Sequence, residues 1–220
     1  MNYTVSILNP TPVEYTYIIY QTLPRTKSCT SVVWMMGDIP ANTGTPTPVV
    51  VPWINIPSVV LGDRDNAQLT QTQLWDVELH TRWLLEYDVD KEDYELKEMA
   101  NVGSKIKDEI IIENRSGKEV DIGIALSQIA GLYWENVLSN ENVSFKMDET
   151  YHLALLLPIQ KAEVGQIVAI DDSTDTPGAL QREDIVAMSP IHFSSPLNFA
   201  QATIVADASG VPEVHISYPT

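Results

Sequence analysis

Apolar side chains return on every second residue in run after run of this chain, and a period of two selects strands over helices. The clearest case is residues 73–87. Trp75, Val77 and Leu79, then Trp83, Leu85 and Tyr87, fall on alternate positions, with Asp76, Glu78 and His80 between them. This spacing predicts a strand with one buried face, its large rings supplying area for a sheet-on-sheet core. Residues 3–8 and 15–21 read as a hairpin-like pair, and residues 31–36 return to the core. Residues 49–56 contain Pro52, which cannot donate to a ladder and so marks an edge or a bulge. Residues 109–114 and 119–127 read as a second hairpin around Ser116-Gly117. Residues 143–145, 151–157 and 166–170 continue the series, and 200–206 with 213–218 close it. Many short strands at regular spacing predict an all-β protein, an antiparallel β-sandwich with a jelly-roll-like order.

At 220 residues the chain is long enough for a sizeable core, and no Gly/Ser-rich linker divides it. The expectation is a single β-sandwich domain over 1–220. Its one interruption is the charged segment 88–107, which reads as a long surface loop with at most one helical turn.

The formal charge is −17, from 13 basic and 30 acidic side chains. That balance argues against nucleic acid and anionic membranes as partners, because both are polyanions. No run approaches the ~18 consecutive apolar residues that a membrane span needs. The opening residues read as a first strand and not as a leader. The expected setting is therefore intracellular, cytoplasmic by default, with a storage vacuole or inclusion as the other possibility. The sequons at Asn2, Asn114 and Asn142 read as incidental in that setting.

Catalytic patterns are missing from the sequence. His80, His152, His192 and His215 are scattered, without the convergent spacing of a zinc site. No G-x-S-x-G elbow and no Gly-rich phosphate loop occur. No enzyme activity, metal or cofactor is expected. Asp88, Asp90 and Glu92 place oxygens on alternate residues, but an EF-hand would want glycine where Asp93 stands and glutamate where Met99 stands. Asp171, Asp172 and Asp175 form a second acidic loop. Trp34, Trp53 and Trp134 offer either a sugar platform or core rings. Cys29 is the one cysteine, so it can form a disulfide only with another chain. Arg25 and Lys27 beside it would favour the thiolate in an exposed turn, and the alternative is an inert, half-buried thiol.

Three places resemble the RhiA-like proteins: Tyr3-Thr-Val-Ser-Ile through Tyr20-Gln-Thr-Leu-Pro24, the aromatic run from Leu74 to Tyr87, and Asp121-Ile-Gly-Ile-Ala-Leu-Ser127 leading to Asn142-Val-Ser-Phe145 and Thr150-Tyr151. The resemblance implies a β-sandwich of non-enzymatic role and carries over no catalytic residue. This chain departs from it in the charged insert and in the tail after Ala206. A narrower likeness, to a crystal-forming fungal protein, rests on no quotable motif.

Together these features set one expectation: a structural protein whose partner is itself, in a storage-like or crystalline assembly. Its control would lie in an intermolecular disulfide at Cys29 and in acidic residues Asp88, Asp90, Glu92, Asp171, Asp172 and Asp175, whose mutual repulsion fades near their pKa values of ~4. The alternative is a carbohydrate- or calcium-binding sandwich.

Overall fold

The computed structural model describes residues 2–22, 29–99, 109–146, 150–170, 176–193 and 197–219. Four sheets organise them. Sheet I runs, in spatial order, β19 (Pro212–Ser217), β18 (Phe199–Ala206), β1 (Asn2–Leu8) and β5 (Val49–Ile54). Sheet II runs β17 (Ile185–His192), β14 (Thr150–Leu156), β2 (Tyr15–Gln21) and β4 (Met35–Ile39). Sheet III runs β3 (Cys29–Ser31), β12 (Ile129–Val137), β11 (Val120–Leu126), β6 (Pro57–Asp65) and β7 (Gln68–Asp76). Sheet IV runs β13 (Asn142–Lys146), β10 (Glu109–Asn114), β8 (Thr81–Asp88) and β9 (Asp93–Glu98). A small parallel pair, β15 (Val168–Ala169) with β16 (Leu180–Gln181), completes the set.

Alternation decides which faces meet. Tyr3, Val5 and Ile7 of sheet I pack against Tyr17, Ile19, Tyr151 and Leu153 of sheet II. Trp34, Trp53 and Phe193 join Tyr3 and Tyr151 in an aromatic cluster with ring centroids 4.4–6.2 Å apart. Val59, Ile122, Ile124 and Leu132 of sheet III pack in the same way against Leu85, Ile110, Ile112 and Phe145 of sheet IV. The back faces of sheets II and III are buried too. The segments 162–170 and 176–185 lay Val168 and Leu180 against Ile18, Tyr20 and Leu156, and Ile167, Ala169 and Ala179 against Val60 and Tyr133. The Trp34 indole N–H, donating to Leu126 O at 3.1 Å, ties the two sandwiches directly.

The two sandwiches share one wiring plan with a cyclic shift. In the second, the chain order is β6, β7, β8, β9, β10, β11, β12, β13. In the first, the equivalent order is β14, β17, β18, β19, β1, β2, β4, β5, running through both ends of the chain. Apart from the added edge pairing of β12 with β3, the pairings match: β6 with β7 and with β11, and β14 with β17 and with β2, are all antiparallel. The equivalence extends to the two parallel pairs, β8 with β10 and β18 with β1.

A side-chain motif marks the equivalence. Just after β1, Asn9 Oδ1 accepts from the Thr11 N–H (3.0 Å) and hydroxyl (2.7 Å), while Asn9 Nδ2 donates to Val13 O (2.8 Å) and Pro40 O (2.9 Å). At the end of β10, Asn114 Oδ1 accepts from the Ser116 N–H (3.0 Å) and hydroxyl (2.7 Å), while its Nδ2 donates to Lys118 O (2.9 Å) and Val137 O (2.8 Å). Both asparagines are buried. Each satisfies the backbone of a sharp corner where the chain crosses from one sheet to the facing one, which a buried corner requires.

The all-β sandwich expectation holds: the described residues form two sandwiches around a shared middle layer. Several details differ. The sheets are mixed and not purely antiparallel, because β9 returns the chain to its starting end and β10 then enters beside β8 in parallel. Residues 73–87 form two strands and not one. His80, at φ 68°, breaks the extended backbone, and the chain crosses from sheet III to sheet IV. The period survives because Trp75 and Trp83 approach the same core from opposite sides. In the segment expected as a loop, β9 turns Tyr94 and Leu96 inward opposite Tyr87 and Leu85 and leaves Glu95 and Lys97 outside.

Candidate functional site

The expected site residues do not converge. Asp171, Asp172 and Asp175 lie outside the described residues, as do Arg25 and Lys27. Cys29 stands in the short edge strand β3, opposite Trp134, and packs partly against the second core. Burial pushes its thiol up to about 12, outweighing the Tyr133 backbone hydrogen bond that acts the other way. The thiolate is therefore disfavoured, and an intermolecular disulfide at Cys29 starts from an unreactive thiol.

Asp88 closes the β8–β9 turn, its Oδ1 accepting the N–H groups of Asp90 (3.0 Å) and Lys91 (3.2 Å). Lys91 also bridges Asp88 and Glu95, and Lys97 bridges Glu86 (2.7 Å) and Glu95 (3.3 Å). Hydrogen bonds from Lys91 hold the Asp88 and Glu95 carboxyls below their usual range. Asp90 and Glu92 point into solvent at the same tip. The oxygens of Asp88 thus serve the turn and a lysine. Among the described residues no three His, Cys, Asp or Glu side chains come together in a way that could hold a metal ion.

The aromatic candidates belong to the cores. Trp34 and Trp53 are buried in the first sandwich, and Trp134 packs at the rim of the second. The histidines remain apart in role. His152 stacks on Tyr20 at 5.0 Å, His192 Nδ1 lies 3.0 Å from the Thr150 hydroxyl, and His215 lies 3.0 Å from Glu213.

What the sequence did not suggest is a contrast between two outer faces. On sheet IV most outward side chains are charged, and several are cross-linked. Glu113 takes Arg115 at 2.5 Å and Arg82 at 3.1 Å, and the Arg115 hydrogen bond, ahead of Arg82, holds its carboxyl below the usual range. The equivalent face of sheet I presents Asn2, Thr4, Ser6 and Leu8 from β1, Val50, Pro52 and Ile54 from β5, and Gln201, Thr203 and Val205 from β18. Only β19 brings charge, as the Glu213–His215 pair. Val50 is 57 % exposed and Ile54 46 %. In a chain of net charge −17 this is a flat, nearly neutral sheet surface, with β-branched side chains turned to solvent. The signal was in the alternation itself, since both the inward and the outward registers of β1 and β5 lack charge.

Among the described residues no helix is long and apolar enough to cross a membrane. A family model described as RhiA matches residues 1–216. No curated protein and no solved structure matches the chain. With that match covering nearly its whole length, the chain belongs to the RhiA family.

Proposed function

We propose that this protein is a non-enzymatic structural protein that associates with copies of itself. The observation that supports the reading is the neutral outer face of sheet I. Two chains of charge −17 repel each other over most of their surface, and contact costs least where charge is absent. Four strands about 4.8 Å apart and roughly six residues long make a face of about 20 Å by 20 Å. That is on the order of 400 Å² per copy, about half a standard interface. Such a contact is weak singly and suits an array in which each copy uses more than one.

Two conditions strengthen it. Salt shortens the Debye length to ~8 Å at 0.15 M and screens the repulsion between copies. Acid removes the repulsion near the carboxylate pKa values of ~4.

The test is mass in solution by light scattering at pH 7.5 and pH 5, in low and physiological salt, for the natural sequence and for Val50→Glu/Ile54→Glu. The expected result is association that grows with salt and acidity and is weakened in the double variant. A monomer in every condition overturns the reading.

A further inference from the structure

Every sheet in this fold has edges, and an unprotected edge pairs readily with another strand. Most of the described edges are guarded. Strand β5 carries Pro52, and its Ile54 backbone is capped on both sides by the Ser127 hydroxyl, each contact 2.8 Å. Strands β17 and β19 carry Pro190 and Pro212, β4 carries Asp38, β13 carries Lys146, and β9 carries Asp93, Glu95, Lys97 and Glu98. Strand β3 is three residues long.

Strand β7 differs. It is nine residues long, it edges sheet III, and from Gln68 to Trp75 it has neither proline nor charge, its one irregularity being a β-bulge between Gln71 and Gln73. Its beginning is occupied, since the Leu69 N–H donates to Gly165 O at 3.0 Å. Beyond it Thr70, Gln71 and Thr72 are exposed. The Leu69 bond also fixes the orientation: it points away from β6, and so, two residues on, does the N–H of Gln71.

We propose that the free edge of β7 pairs antiparallel with β7 of a second copy about a two-fold axis, joining two five-stranded sheets into one. This rests on the self-association reading and names a second contact for it. The occupant is a second copy because the edge is self-complementary. Antiparallel pairing of one strand with itself is isologous, and uncharged Thr and Gln side chains bring none of the repulsion that other parts of this acidic surface impose.

The test uses the full chain with Gln71→Pro, which deletes an outward donor without touching the β6 ladder, and the near-isosteric Gln71→Glu, which puts like charges beside the axis. Melting curves matching the natural sequence show that each variant folds. The expected result is at least about tenfold weaker association for both, with the Gln71→Glu loss partly reversed by salt. Amide exchange at Gln71 should slow when the natural protein associates.

Dimers that persist in Val50→Glu/Ile54→Glu but vanish on adding Gln71→Pro would establish β7 as an independent contact. Association of the natural protein that both Gln71 variants retain within about twofold, without protection at Gln71, overturns the β7 contact and leaves self-association standing. A natural sequence that stays monomeric in all conditions removes both.

Discussion

Replacing Asn114 by alanine should be among the most destabilising single changes in this protein. The side chain is fully buried, and alanine removes four hydrogen bonds at once. The Ser116 donors lie near the surface and can turn to water. Lys118 O and Val137 O lose their Asn114 donor, and the Val137 contact is buried. A net worth of about 1 kcal/mol per hydrogen bond, for two bonds, and a further 1–3 kcal/mol for a stranded acceptor give roughly 3–5 kcal/mol. At roughly 2–4 °C per kcal/mol for a chain of this size, the melting temperature should fall by about 10 °C.

Asn114→Asp should be worse than Asn114→Ala, because it keeps the acceptor but turns a carboxylate oxygen toward two carbonyls. Asn9→Ala should match Asn114→Ala within about 1 kcal/mol, since the two corners make the same four bonds. Urea unfolding followed by tryptophan fluorescence measures all three. A loss under about 1 kcal/mol for Asn114→Ala, or an aspartate milder than alanine, would refute the corner's role.

Three further outcomes are expected. With its pKa near 12, about one Cys29 thiol in ten thousand is ionised at pH 8, so a thiol-labelling time course should be slow in the native protein and immediate in denaturant. Gly123→Ala would bring a Cβ to 2.6 Å from the Tyr133 ring and 2.7 Å from Leu132 O, costing about 2–3 kcal/mol by urea titration, whereas Gly44→Ala meets open space and should change stability by less than about 0.5 kcal/mol. Because the Glu113 carboxyl is depressed by Arg115 and Arg82, its contribution to stability is present above pH ~4.5 and lost as pH falls through the lowered value; Arg115→Ala should therefore lower the melting temperature at pH 7, and its effect should shrink as pH falls through the lowered value.

The strands themselves were largely legible, because alternation is local. Partner choice was not, since it depends on residues far apart in the chain. Strands β1 and β2 read as a hairpin from their adjacency, as do β10 and β11, yet each pair faces across a core, turned by the Asn9 and Asn114 corners. In β9 the inward Tyr94 and Leu96 carry a period of two that the surrounding charge masked. The shared corner had a sequence trace in Ile7-Leu-Asn-Pro-Thr11 and Ile112-Glu-Asn-Arg-Ser116. At Asn114 that pattern read only as a sequon, and the buried, doubly donating amide leaves no nitrogen free for a glycan in the folded chain. Of the candidate site, the individual acidic residues could be named, but the neutral face of sheet I could not. It is an arrangement of ordinary threonines, serines and valines whose meaning comes from which strands lie side by side.

The cyclic shift also sets a timetable for synthesis. Apart from the short edge strand β3, the second sandwich is encoded without interruption, so its strands leave the ribosome in one stretch and can close as a unit. Strand β1 is made before it but pairs Thr4 with Phe199, so it waits while the residues between them emerge. At ~5–20 residues per second that wait is about 10–40 s. Throughout it, Tyr3, Val5 and Ile7 lack their final partners, and a nascent chain in this state would be a substrate for chaperones.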